Sequence, residues 1–149
     1  MLLVSTGFKV AILGRSSFAD IFNDGELRIF AGVRPNNANA GEPSQPIGVV
    51  TRIGAATLGL QFIQVAEYVV RLPSDRWQLN TLQPGTPTWF RLTAPGDIFA
   101  DSITAARIDG DVGAASTPND MTLSVSTFTA NTALPFDSFL YTIPPLAGI

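Results

Sequence analysis

Past Glu26 no apolar stretch keeps a helical period long enough for a crossover helix, and Gly, Pro, Asn or Asp punctuates most of the segments between short apolar runs. Parallel strands need connections of a dozen or more residues, usually helical, so a chain punctuated in this way is confined to antiparallel pairing. The spacing predicts strands over 26–31, 47–53, 57–65, 66–72, 76–79, 88–93, 105–108, 121–127 and 136–143. Within them the side chains alternate: Leu27 and Ile29 oppose Phe30, Leu58, Leu60 and Phe62 oppose Gly59 and Gln61, and Met121, Leu123 and Val125 oppose Thr122, Ser124 and Ser126. On the last strand Phe139, Tyr141 and Ile143 share a face, leaving Asp137, Ser138 and Thr142 toward water. The expected fold is mainly β, an antiparallel β-sandwich or jelly-roll-like body, with no internal repeat.

Residues 1–25 read differently. Ser5 or Thr6 can cap a short helix with Phe8, Ala11 and Ile12 on one side, and Gly14 can end it in the left-handed conformation. Ser16 or Ser17 can cap a second helix bearing Phe18, Ile21 and Phe22, stopped by Asn23-Asp24-Gly25. The chain is then one domain over 1–149: a helical segment at 1–25 and a β body at 26–149. Residues 34–46 hold three Pro, three Asn and two Ala with no apolar period, which predicts a long exposed loop or arm.

Composition enters when this fold is asked to live in water. Only 14% of the 149 residues are charged while 46% are hydrophobic, against about 25% charged in ordinary soluble domains. A small body has much surface for its volume and needs polar cover, so part of this surface is expected to be buried against other subunits, in a homo-oligomer or a larger assembly. Eight of the nine basic residues are Arg, the cation suited to bidentate pairing at interfaces. A net charge of −3, with the cations scattered singly, argues against a nucleic-acid partner. The longest uncharged apolar stretch, Ile53 to Ala66, is too short for a bilayer and carries Gln61 and Gln64. The first thirteen residues mimic an export signal only superficially, since Lys9 lies inside the apolar run and no small-x-small site follows before Arg15. Neither a membrane nor a secreted protein is expected.

The chemistry-bearing inventory is short. Without His or Cys there is no Ser-His-Asp or Cys-His site, no disulfide and no thiolate metal centre, and Lys9 is the sole lysine for a Ser-Lys pair. No phosphate-cradling glycine loop is present. Carboxylate pairs could serve a glycosidase, but nearly all the Asp stand in turn-like contexts. Asp109-Gly110-Asp111, with Asp97 or Asp101 across a loop, could ligate calcium, although Asp-Gly reads first as a hairpin turn. Trp77 and Trp89 could form a sugar platform or simply pack. The expectation is a non-enzyme without catalytic residues, cofactor or metal.

Several stretches in order carry a resemblance: S-T-G-F-K-V-A-I-L-G, then S-S-F-A-D-I-F-N-D-G-E-L-R-I-F-A-G-V-R-P-N-N-A-N-A, T-W-F-R-L, R-I-D-G-D-V-G and D-M-T-L-S-V-S-T. Over almost its whole length the chain resembles small virion structural proteins of tailed bacteriophages, departing from their pattern at Thr88 and at Leu134-Pro135. The resemblance implies a particle component with a sandwich-like body, assembled in the host cytoplasm and found in the virion. As a head decoration or cement protein its partners are the major capsid protein and copies of itself. Phe8, Ile12, Phe18 and Phe22 on the helices, with Arg34 and its loop, are the expected contact residues; the alternative is that those Phe close one end of the sandwich. Two other roles remain open from sequence: a tail or neck component, and a carbohydrate-binding host-recognition module using Trp77 or Trp89.

Overall fold

Alternation in Glu26–Phe30 (β2) sets the architecture, because it sends Leu27 and Ile29 to one face of a sheet and Glu26, Arg28 and Phe30 to the other. In the computed structural model, which describes residues 1–14, 16–54, 59–113, 119–136 and 139–142, β2 lies at the centre of an eight-stranded sheet. On one side it pairs with Trp89–Thr93 (β7), then Arg107–Gly113 (β8) and Leu3–Val4 (β1). On the other side come Gly48–Arg52 (β3), Trp77–Thr81 (β6) and the edge strand Ala133–Phe136 (β10), which carries Pro135. All these pairs are antiparallel; Met121–Thr122 (β9) adds a short parallel pair to the end of β8. A second, three-stranded sheet runs Leu140–Thr142 (β11), Tyr68–Arg71 (β5) and Phe62–Val65 (β4), also antiparallel. The protein is therefore mainly β, with two antiparallel layers and two short helices, sandwich-like in the sense the sequence predicts.

Leu27, Ile29, Val50, Leu79, Leu92 and Ile108 line one face of the large sheet, and this face packs against the helices and the small sheet in a single core. Thr6–Leu13 (α1) begins where the Ser5 hydroxyl accepts the Phe8 N–H. Phe18–Phe22 (α2) begins in a reciprocal capping box between Ser17 and Asp20. A five-residue helix has no intrinsic stability to speak of, so packing must hold it: Phe18 and Phe22 have ring centroids 4.8 Å apart, and Phe22 stacks on Phe8 at 5.6 Å. Gly14 does not take the left-handed conformation expected of it (φ −77°); Asp24 does, at φ 66°, turning the chain into β2.

The opposite face of the large sheet is charged and yet buried. Arg28, Arg91, Arg107 and Asp109 project from it by strict alternation, and the segments joining β2 to β3 and β7 to β8 fold across it. Asp109 accepts from Nε and Nη2 of Arg91, both at 2.7 Å, with both side chains fully buried. Arg107 makes the same forked pair with Asp97 and donates further to the carbonyls of Ala40 and Ala100. Arg28 forks onto Glu42, also bonds Glu26, and carries the Phe99 ring 3.8 Å over its guanidinium. Charged partners in this geometry satisfy one another's hydrogen-bonding capacity, which is what permits them to leave water. Residues 34–46 are thus no free arm: Ala38 is buried, Glu42 is held by Arg28, and the Gly41 N–H donates to Asp101 at 2.6 Å.

Burial works to raise the Asp97 carboxyl, but the Arg107 guanidinium and the Phe99 N–H outweigh it and hold the group below its ordinary value. A carboxyl depressed in the native state contributes stability above its unfolded value and loses it as pH falls through the native one. The urea midpoint is expected to fall as pH drops below the usual carboxylate range. Asp97→Asn should have a lower midpoint at neutral pH, with the gap to wild type closing in acid; parallel titrations of the two proteins check this.

Several strand expectations shift. Asp109-Gly110-Asp111 is not a hairpin turn but the middle of β8: Gly110 faces Phe90, and a Cβ there would come within 2.5 Å of that ring. The strand expected over 121–127 pairs only at 121–122, although Leu123 and Val125 still pack on the core while Ser124 and Ser126 are exposed. The one expected over 136–143 is two strands in different sheets, with Phe136 in one and Phe139 leading into the other; Asp137, Ser138 and Ile143 lie outside the described residues. Leu58 also lies outside them, and the strand expected from 57 starts at Phe62. β1 was not foreseen.

Candidate interface at the helical end

The small sheet is built on a hairpin whose two-residue turn, Ala66-Glu67, has Ala66 at φ 52°. Its register sends Phe62, Val69 and Tyr141 into the core and sets Ile63, Val70 and Leu140 side by side across the three strands on the outer face. The ends of that outer row are open, Leu140 64% exposed and Ile63 39%, with Val70 half-buried between them. The neighbouring helix repeats the theme, since α1 buries Phe8 but leaves Val10 69% and Leu13 85% exposed. Apolar residues on all sides of a short helix mark one that needs a second partner.

Between α1 and the small sheet opens a cleft of about 620 Å³ lined chiefly by Phe8, Ile12, Leu13, Phe18, Val69 and Tyr141, with Lys9 and Glu67 among its few charged groups. Burial pushes the Tyr141 hydroxyl above its ordinary value, so it stays protonated at any ordinary pH. The large apolar groups here and the thin charge around them suit contact with another apolar surface.

The expected contact residues divide. Phe8, Phe18 and Phe22 are 4%, 5% and 0% exposed, so they are core, and the reading that put them on a neighbour is corrected in favour of the one that closes the sandwich. Ile12 is partly buried and lines the cleft. Arg34 does not line the cleft: it donates to the Met1 carbonyl at 2.8 Å and lies 3.2 Å from Asp111, turned inward to its own chain. Val10, Leu13, Ile63 and Leu140 were not singled out in the sequence. Val10 and Leu13 lie off the side of the helix that Phe8, Ala11 and Ile12 mark in the sequence, whereas the sheet row exists only once three strands are in register.

The sugar platform is corrected too. Trp77 and Trp89 are both buried, Trp89 stacked on Phe30 at 4.1 Å and Trp77 edge-on to Phe62 at 5.5 Å. The acids considered for calcium are otherwise engaged: Asp97 and Asp109 with arginines, Asp101 with the Gly41 N–H, and Asp111 with Arg34 and the chain's amino group. Among the described residues no three metal-ligating side chains cluster, and no helix is long and apolar enough to cross a membrane.

No family model, no curated protein and no solved structure matches the chain.

Proposed function

We propose that the protein is a structural component of a tailed-phage virion, a capsid decoration or cement protein that bridges neighbouring subunits. The observation that carries this reading is exposed apolar surface on α1 and the small sheet: Val10 and Leu13 stand exposed on the helix, with Leu13 lining the apolar cleft, and Ile63 and Leu140 stand exposed on the outer face of the sheet. Scattered exposed apolar residues are normal, but grouped ones beside a cleft are characteristic of contact surfaces. A bridging protein needs a second place to hold, and Val33, Ile98 and Ile103 are exposed on the loops across the opposite face. Burying such groups yields about 25 cal/mol per Å² of apolar area, repeated at every copy, which secures a shell without chemistry. The resemblance of its motif order to that of small virion proteins supports the same reading.

Quantitative mass spectrometry of purified particles tests it. Copies comparable in number to the major capsid protein are expected; a single ring's worth would make it a tail or neck component, where rings close by cyclic symmetry. Replacing Val10 and Leu13 by Ser should abolish incorporation while leaving the circular dichroism and melting of the free protein close to wild type, because neither side chain is buried. A wild-type protein that sediments as a lone monomer at high concentration and is indifferent to shells would overturn the proposal.

A further inference from the structure

The described chain leaves the small sheet at the rim of the cleft beside α1. Thr142, the last residue of β11, pairs with Tyr68, the first of β5, so the ladder runs out there, and both Tyr68 and Tyr141 line the cleft. The next seven residues, Ile143-Pro144-Pro145-Leu146-Ala147-Gly148-Ile149, lie outside the described residues. They carry no charged side chain, and Pro144 and Pro145 have no N–H with which to prolong β11. Consecutive prolines favour the polyproline helix, which makes no hydrogen bonds of its own and docks in grooves lined by aromatic rings. The cleft meets that description: Phe8, Phe18, Tyr68 and Tyr141 all line it, and its volume of about 620 Å³ is in the range of sites that enclose a ligand.

We infer that residues 143–149 occupy this cleft on their own chain, the prolines and Leu146 supplying an apolar cover for its aromatic walls. Seven residues span at most about 25 Å, so from Thr142 the segment's own cleft is at hand, whereas a neighbour's is reached only where two clefts face each other. The short tether also keeps the segment at high effective concentration over its own cleft. The inference does not rest on the particle reading: Val10, Ile63 and Leu140 do not line the cleft and are left for a neighbour whatever fills it.

Methyl NOE spectra of the full-length, unsubstituted protein test this. Cross-peaks from Leu146 or Ile149 to Ile12, Leu13 or Val69, which line the cleft, are expected. Isotope-filtered spectra of mixed labelled and unlabelled chains separate the two sources: the same cross-peaks are expected to be absent there, and their presence would give the cleft to a second copy's segment and overturn the inference. Leu146→Asp should shift the Ile12, Leu13 and Val69 methyl signals while leaving that of Ile98, on the segment across the charged face, in place. No cross-peak from the segment to the cleft, cross-peaks only to Ile63 and Leu140 on the outer face of the sheet, or cleft signals unmoved in Leu146→Asp would each overturn the inference as well.

Discussion

Arg91→Ala is expected to destabilise the protein by about 3–5 kcal/mol, because it strands the Asp109 carboxylate in a place without water. Both side chains are fully buried, and Arg91 supplies both of the 2.7 Å bonds that satisfy Asp109. Arg91 also donates to the Ala40 carbonyl at 2.8 Å, so its loss loosens the 34–46 segment as well. The companion experiment removes both charges: Arg91→Met with Asp109→Leu should recover most of the loss, since a buried ion pair replaced by apolar groups of similar size is often neutral. Urea denaturation of the single and double variants checks both statements. A single variant as stable as wild type would mean that the carboxylate finds water or another donor on this face.

Phe22→Ala is expected to cost a similar amount, about 3–5 kcal/mol, for a different reason. The ring is fully buried and contacts Phe8 and Phe18, so removing it opens a cavity where α1, α2 and the sheet meet. Its melting temperature should fall sharply. The contrast with the Val10 and Leu13 pair is the informative part: one helical phenylalanine holds the body together, while aliphatic residues a few positions away leave the body indifferent. The two helices therefore serve the core with one side and present the other.

The antiparallel β class, the capped helices and the inward set Leu27, Ile29, Phe62 and Tyr141 were legible because each depends on local alternation or on a cap a few residues away. Burial of the charged face was not. Arg28, Arg91, Arg107 and Asp109 occupy the polar positions of strands whose other face is apolar, a pattern that ordinarily means solvent. Only the pairing of Arg91 with Asp109, eighteen residues away, and the folding of Asp97 and Glu42 over the sheet turn those positions into an interior. The same blindness explains the loop expected to be an arm: its partners are long-range, and Pro, Asn and Ala carry no periodic trace of them. It explains Asp-Gly as well, which specifies a turn only where no ring requires the space. For the candidate interface, the sequence showed that charge was scarce but not where the scarcity would surface.

The sheet margins limit how copies of this protein could polymerise. At one margin β1 contributes two residues, and at the other β10 places Pro135, which offers no N–H to an incoming strand. Continuing the large sheet from chain to chain is therefore disfavoured at both margins. Copies meeting at these two margins would have to do so through side chains, not through a continued hydrogen-bond ladder.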